Sequence, residues 1–480
     1  MGHIDHGKST LLDYIRKTNI VEGESGGITQ HISAYEISYT TSEKVKKRIT
    51  FLDTPGHAAF TCMRECGANA ADIAILVVSA EDGVKTQTLE ALQSILDAKI
   101  PYVVAINKID RPNANIEKTK LSLSEHGILV EGYGGTIPWV PISAKLGTGV
   151  DDLLETILLV AEMEDFTTDT EGPVEGILIE SNHDPKRGIT GTIIIKEGIL
   201  KKGQYVVCGG AYTTTRIMED YTGKQITEAL AGTPLQLVGF DVLPKTGTPL
   251  FVFDSKKEAE KYLAEHTVPE KEHTHEIDPN AKVFPLIIKT DVYGTAEAIE
   301  KEIRKINVPD IYLKIIQKGI GNIAESDIKL ALSDKETAII GFHTHADNQA
   351  RDLAEQHGIT IHTFTVIYKL TEWLVEEAER RRPRKEVREV TGRARVLKVF
   401  SQTKDTQVVG ALLEEGSLKE GSAFTLMRKN VALSEGKINS LQQAKQHVKE
   451  VVSGDFGAMI TLKVSASGGD IIEAYSLITK

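Results

Sequence analysis

The sequence predicts a multidomain α/β plus β chain: a P-loop domain, a small β-barrel, an α/β/α domain, a long connecting helix and a second β-barrel. Three observations carry this. The chain has 480 residues, enough for roughly three to four domains. Two separate stretches alternate short β-rich apolar runs with helical ones, and two others hold only short strands broken by Gly and Pro turns.

The first stretch, 1–164, has apolar runs at 49–52, 73–78, 102–106 and 139–142, with helical patterns at 86–98 and 150–162 between them. Runs of that length read as buried parallel strands, and the alternation predicts a parallel sheet covered by helices on both faces. Near 165–172 the texture changes. Residues 172–254 carry strands at 176–179, 191–195, 205–208, 235–239 and 250–253, closely spaced and without helices, which reads as a small barrel. Residues 255–280 form a polar helix at 255–266 and a charged linker at 268–279. The second alternating unit, 281–366, has strands at 284–290, 312–317, 337–342 and 360–364 and helices at 295–306, 325–333 and 346–357. Ile367, Leu370, Leu374 and Ala378 share one face of a connecting helix at 367–386, which ends before Pro383. Its tail, Arg380-Arg381-Arg382-Pro383-Arg384-Lys385, is the strongest basic cluster in the chain and is read either as an RNA contact or as a solvated helix end. Residues 387–480 return to short strands, a second barrel.

Composition excludes several classes. Hydrophobic residues are 41% and charged residues 26%, an ordinary globular balance. No run of about eighteen apolar residues and no leader pattern is present, so a cytoplasmic protein with no membrane partner is expected. Three cysteines are too few for a disulfide framework. Cys62 and Cys66 share a helical face, but no neighbouring His or Cys completes a zinc set, and they are read as packing residues. The net charge of −12 argues against a surface coated in phosphate-binding side chains, though local patches can still bind RNA.

Chemistry enters with Gly2-His3-Ile4-Asp5-His6-Gly7-Lys8-Ser9, followed by Thr10. The glycines let backbone N–H groups face phosphate oxygens at a helix N-terminus. Lys8 reaches the β- and γ-phosphates, and the Ser9 hydroxyl ligates Mg²⁺. Asp53-Thr54-Pro55-Gly56 follows a strand, so Asp53 holds Mg²⁺ through water while the Gly56 amide meets the γ-phosphate. Asn107-Lys108-Ile109-Asp110 ends another strand, and its carboxylate can accept from guanine N1 and N2, a pattern adenine lacks. Ser143-Ala144-Lys145 closes a further strand and turns a backbone N–H toward guanine O6. All four sit at strand carboxyl ends, where parallel sheets bind ligands. The ligand is therefore GTP or GDP. Just after the γ-phosphate glycine, a neutral His57 is the candidate catalytic residue, orienting a water for attack. Thr29, behind Gly26-Gly27-Ile28, completes the Mg²⁺ shell in the GTP state.

The loop Gly-His-Ile-Asp-His-Gly-Lys, with Asp-Thr-Pro-Gly-His, resembles the translational GTPases. Glu24-Ser25-Gly26-Gly27-Ile28-Thr29-Gln30-His31-Ile32 and Gly56-His57-Ala58-Ala59-Phe60-Thr61 closely resemble bacterial translation initiation factor two. The similarity continues through Ile287-Ile288-Lys289-Thr290-Asp291-Val292-Tyr293-Gly294-Thr295, Gly321-Asn322-Ile323-Ala324-Glu325-Ser326-Asp327 and Ile339-Ile340-Gly341-Phe342. It ends at Gly469-Asp470-Ile471-Ile472-Glu473-Ala474-Tyr475 and so spans nearly the whole chain. The resemblance implies a ribosome-dependent GTPase, monomeric in solution, that binds formylmethionyl initiator tRNA on the small ribosomal subunit and promotes joining of the large subunit. It implies an apolar gate of Ile4 and Ile28 beside the attacking water, a monovalent cation near Asp5, and a tRNA-carrying last barrel.

The sequence departs from the family at two places. Gly454-Asp455-Phe456-Gly457-Ala458 has Ala where the family has Cys, which alters the expected formylmethionine pocket. Residues 389–480 hold twelve basic and ten acidic side chains, a difference of +2, so a tRNA footprint there is a patch. The phosphate loop should follow a strand of about five residues, yet only Met1 precedes Gly2; an incomplete reading frame, its first strand missing, is the expectation. Two alternatives stay open: a carrier of elongator aminoacyl-tRNA, against which 281–366 speaks, and a guanine-nucleotide-binding assembly factor with little hydrolysis.

Overall fold

The computed structural model describes residues 1–17, 29–266, 281–334, 336–383, 386–403, 405–444 and 446–479. Gly26, Gly27, Ile28, the linker 268–279, Arg384 and Lys385 lie outside the described residues. Residues 1–381 form one compact unit and 382–480 another.

The first domain runs α1 (Lys8–Arg16), β1 (Ser33–Thr40), β2 (Lys46–Asp53), a 3₁₀ turn (Ala58–Phe60), α2 (Thr61–Ala70) and β3 (Ala74–Ser79). It continues with α3 (Thr86–Ala98), β4 (Tyr102–Asn107), α4 (Ile116–Glu125), β5 (Trp139–Pro141) and α5 (Val150–Met163). The apolar runs of β3 and β4 pair in parallel, with Ser79 opposite Asn107, and β5 adds to β4. One expectation is corrected here. The run 49–52 is not in the parallel sheet; β2 pairs antiparallel with β1 in a two-stranded sheet, Ile49 opposite Ile37. Among the described residues, Met1 and Gly2 lie along the side of β3 away from β4: Val77 N donates to Met1 O at 2.9 Å, and Gly2 forms a parallel bridge with Val77. A cleft of about 320 Å³, lined among others by Leu52, Ile73, Ile75 and Ile157, separates this edge from β2. β2 takes its ladder hydrogen bonds from its hairpin neighbour β1.

The barrel comprises β6 (Glu175–Asp184), β7 (Gly188–Glu197), β8 (Ile199–Lys201), β9 (Tyr205–Cys208), β10 (Ala211–Thr214), β11 (Met218–Asp220), β12 (Glu228–Leu230), β13 (Pro234–Val238) and β14 (Pro249–Phe253). Seven of these pair in the order β10-β9-β14-β6-β7-β13-β11, and β12 pairs with β8. After α6 (Lys256–His266) come β15 (Lys282–Thr290), α7 (Tyr293–Lys305), β16 (Ile311–Ile320), α8 (Glu325–Ala331), β17 (Ala338–Phe342), α9 (Asn348–His357) and β18 (Ile361–Phe364). Their sheet order is β16-β15-β17-β18, all parallel.

These parts share one core. Phe60 and Met63 pack in a single cluster with Ile179 and Ile194 of the barrel and with Phe284, Leu286 and Ile299. The helix α10 (Ile367–Arg381) joins the same cluster through Ile367, Leu370, Leu374 and Ala378, so its apolar face is spent on packing. Cys66 is buried there too, and burial pushes its thiol up to about 12, which fits the packing role.

The second unit holds β19 (Glu386–Gln402), β20 (Thr406–Gly416), β21 (Leu418–Lys419), β22 (Ala423–Arg428), β23 (Val431–Gln443), β24 (Gln446–Val448), β25 (Glu450–Val451), β26 (Gly454–Leu462) and β27 (Ile471–Thr479). The order β22-β27-β19-β20-β26-β23, with β22 also paired to β23, closes a six-stranded barrel. Ala458 is buried in its core beside Leu441 and Phe456. At one end the buried Asp470 accepts two bonds from Arg428, each 2.7 Å, and one from Ser467 N at 2.7 Å. The Arg428 hydrogen bond holds the Asp470 carboxyl below its usual value despite burial. A depressed folded value means stability present above the unfolded carboxyl pKa and lost as pH falls through the folded one. Asp470→Asn is expected to cost about 1.5–3 kcal/mol at neutral pH. Urea denaturation followed from neutral pH to below pH 4 should find wild type and variant converging on acidification.

Candidate nucleotide site

The loop 2–9 bends back on itself where the sequence places glycine. Gly2 has φ +140° and Gly7 φ +86°, and a Cβ on Gly7 would lie 2.4 Å from Asn107 Nδ2. Only glycine fits that position. Asp5, the third left-handed residue, has φ 63°. The turn feeds directly into α1, so its first amides face the cleft. The Lys8 side chain curls over the loop, its Nζ donating to His3 O at 2.8 Å. Burial lowers the Lys8 ammonium to about 8, against the opposing pull of Asp53. Gly56 lies against that ammonium: a Cβ there would be 2.5 Å from Lys8 Nζ and 3.1 Å from Gly2 O.

The three oxygens assigned to a cation converge. Ser9 Oγ and Thr29 Oγ1 are 2.7 Å apart, and Thr29 Oγ1 donates to Asp53 Oδ2 at 3.3 Å. Desolvation raises the Asp53 carboxyl, with Lys8 acting against it. Three hard oxygens at that spacing fit a Mg²⁺ ion, which takes oxygen ligands and keeps several waters.

The other end of the cleft is organised by Asn107. Its Nδ2 donates to His6 O at 2.8 Å, and Ala144 N donates to its Oδ1 at 2.9 Å. Ser143 Oγ donates to Asp110 Oδ1 at 2.7 Å, and that bond holds the exposed carboxyl low and ionised. Lys108, at φ 66°, makes the turn that carries Asp110 out of the strand. The cleft enclosed by these groups measures about 410 Å³ and reaches from Ile4, Ser9, Thr10 and Thr29 to Asp110 and Lys145.

His57 stands at its phosphate end. Its Nδ1 accepts from Ala59 N at 3.1 Å, capping the 3₁₀ turn, and burial lowers its pKa, so the ring is neutral near pH 7.

Comparison with known proteins agrees with this geometry. Residues 1–163 match the family model described as Elongation factor Tu GTP binding domain, 173–253 that of Elongation factor G domain 2, and 257–374 that of Translation-initiation factor 2. The chain is 41% identical over 492 aligned positions to the translation initiation factor IF-2 of Halothermothrix orenii, covering 99% of this chain and 71% of that relative. The chain belongs to the translation initiation factor IF-2 family. Among solved structures, GDP-bound aIF5B from Aeropyrum pernix is 24% identical with a TM-score of 0.46, covering 98% of this chain and 90% of that one. A bacterial selenocysteine-specific elongation factor is 23% identical with a TM-score of 0.43, covering 52% and 43%. Family membership and the match of residues 1–163 to a GTP binding domain make the chain a translation-initiation GTPase that binds guanine nucleotide.

Not every residue of the IF-2 motifs faces the cleft. His6 is buried beneath the loop, its Nδ1 near Val77 O and Ser79 N, and burial lowers it to about 4; it is a strut. His3 contributes its carbonyl, and Thr54 and Pro55 are buried behind the loop. Ile109 joins a core cluster below the base end. Ser143 acts through Asp110.

Three supporting residues carry no motif. Gln87 Oε1 accepts from Ile4 N at 3.0 Å. Arg64, 1% exposed, donates to His57 O at 2.6 Å and to Glu90 Oε2 at 2.7 Å. A charged residue inside an otherwise apolar helix face was the available signal for Arg64. No sequence signal marks Gln87 or Glu90. In the basic tail, Arg380 and Arg381 both donate to Glu377, at 2.6 and 2.7 Å, which favours the helix-end reading for those two.

No helix among the described residues is long and apolar enough to cross a membrane. The Lys8 value of about 8 gives the site a pH dependence. Polyphosphate binds the ammonium form, so affinity should fall as pH rises through that value. GDP affinity, followed by fluorescence of a labelled nucleotide, is expected to weaken about fourfold between pH 7 and pH 8.5. That interval stays below ionisation of guanine N1.

Proposed function

We propose that this chain protects and delivers formylmethionyl initiator tRNA to the small ribosomal subunit, promotes joining of the large subunit, and hydrolyses GTP on the assembled ribosome. The observation that carries this reading is the position of the segment behind Thr29. Thr29 Oγ1 sits among the cation oxygens, while its neighbour Gln30 donates from Nε2 to Thr365 O at 2.8 Å, between β18 and α10. A change in the γ-phosphate is therefore felt by the α/β/α domain within two residues.

In this scheme Lys8 and the loop amides hold the phosphates, Gly56 N meets the γ-phosphate, and Asp110 and Ala144 N read guanine. Ser9, Thr29 and Asp53 hold Mg²⁺, which when bound neutralises developing charge on the phosphate oxygens. Ile4 forms one side of an apolar gate, and Asp5 faces a monovalent cation. Residues 387–480 carry the acylated tRNA end. The factor acts in the cytoplasm as a monomer.

The hydrogen bond from Ala59 N fixes the His57 tautomer. With Nδ1 accepting, a neutral ring carries its proton on Nε2 and can only donate there. His57 thus orients the attacking water by donating to its oxygen, and it does so as a neutral ring. His57→Ala should leave GTP affinity within about threefold and lower ribosome-stimulated turnover by about a hundredfold, the scale of lost positioning. Phosphate release with and without ribosomes measures this; unchanged stimulated turnover removes His57 from the role, and no stimulation of wild type favours the assembly-factor alternative. At the base end, Asp110→Asn should reduce GTP affinity by at least tenfold, because an amide cannot accept both guanine protons in the same way. Competition between GTP and xanthosine triphosphate measures it, with xanthine gaining relative to guanine.

A further inference from the structure

Beside the segment that follows Thr29, three side chains meet that the nucleotide site does not use. His31 Nε2 lies 3.3 Å from His343 Nδ1 and 3.3 Å from Asp291 Oδ2, and His343 Nδ1 lies 3.6 Å from the same carboxylate oxygen. A tetrahedral zinc ion with bonds of about 2.0–2.1 Å spaces its ligand atoms about 3.3 Å apart. The triangle has that size.

Each ligand atom is also aimed. Asp291 spends Oδ1 on Val292 N at 2.8 Å and Thr295 Oγ1 at 3.1 Å, which leaves Oδ2 for the cluster. His343 donates from Nε2 to Thr365 O at 2.7 Å, so a neutral ring presents the Nδ1 lone pair inward. His343 is held in a left-handed conformation, φ 51°. Behind His31, Nδ1 faces Glu180 Oε1 at 3.8 Å, and that carboxylate oxygen is buried without a hydrogen bond among the described residues. At 3.8 Å the carboxyl stops short of a hydrogen bond, and a closer approach gives the His31 Nδ1–H the acceptor that orients a metal-bound imidazole. The topology explains the meeting: Thr290 pairs beside Phe342 in the parallel sheet, so Asp291 and His343 leave neighbouring strands at their carboxyl ends, where such sheets bind ligands.

We propose that His31, Asp291 and His343 bind a late first-row divalent cation, zinc foremost, with Glu180 positioning His31 and water in the fourth place. Two imidazoles and one carboxylate suit such an ion better than Mg²⁺ or Ca²⁺. The ion joins the segment behind Thr29 to the α/β/α domain, reinforcing the Gln30–Thr365 bond beside it.

The test uses the full, untagged chain, stripped of metal and then saturated with GDP in excess Mg²⁺ so that the nucleotide site is filled. Zn²⁺ titration by calorimetry should give one equivalent, and Co²⁺ should develop the intense visible bands of a four-coordinate site. Asp291→Asn and His343→Asn should each weaken Zn²⁺ at least tenfold, and Glu180→Gln by about tenfold, the usual effect of an outer-shell partner. Circular dichroism and GDP affinity of each variant establish that it has folded; His31→Gln substitutes for any that has not. No saturable uptake, or uptake indifferent to these substitutions (an adventitious ion only), overturns the proposal, and the hydrogen-bonded cluster then stands without a metal. Either result is independent of ribosomal activity.

Discussion

The nucleotide site depends on a single buried amide. Asn107, 2% exposed, ends β4 and ties the phosphate loop to the loop that faces the base, through His6 O on one side and Ala144 N on the other. The phosphate loop and the loops that follow β4 and β5 are thereby fixed at one separation. The strand register supplies half of this, because Ser79 and Asn107 end level in the sheet. The amide supplies the other half. It also explains why the loop turns on glycine at position 7: any Cβ would collide with Asn107 Nδ2. Removing the amide would leave a buried carbonyl and a buried N–H without partners, at about 1–3 kcal/mol each.

Around that joint the site is buried and charged. Burial lowers the Lys8 ammonium and raises the Asp53 carboxylate, and each opposes the shift of the other. Neither group is well satisfied by the protein alone; Lys8 resorts to the carbonyl of its own loop. Such a pair is electrostatically incomplete, and a polyphosphate with its cation supplies both missing partners. The same desolvation keeps His57 neutral, so one physical cause sets the protonation of phosphate clamp, cation ligand and water-orienting imidazole.

Much of this was legible in the sequence because it is local. The glycines, Lys8, Asp53, Asn107 and Asp110 each sit in a short segment whose spacing to a strand end carries the geometry. The strands of the parallel sheets and most helices were equally legible from apolar runs. What failed to show has a common origin in long-range contact. The run 49–52 has the composition of a parallel strand, but its partner, β1, is its antiparallel hairpin neighbour. The strands β8 and β10–β12 are three or four residues long and too polar to stand out. Gln87, Arg64 and Glu90 act across the fold on single hydrogen bonds, and His31 and His343 are 312 residues apart. No periodicity encodes such meetings.

The shared core gives those distant contacts a mechanical meaning. Arg64 holds the carbonyl of His57 and lies on α2, one turn from Phe60 and next to Met63. Both apolar residues pack in the cluster that includes Ile179 of the barrel and Phe284 of the α/β/α domain. The fit at this seam is close: a Cβ on Gly294, at the start of α7, would fall 2.6 Å from Met63 Cε. A close-packed seam transmits displacement instead of absorbing it. The backbone of His57 is thereby tied, through Arg64 and Met63, to the packing of α2 against α7. The segment of Thr29, Gln30 and His31 reaches the same α/β/α domain by a second route from the phosphate end of the cleft. Two sets of contacts thus run from the phosphate end of the cleft to one domain, and they are the physical basis of the coupling proposed for it.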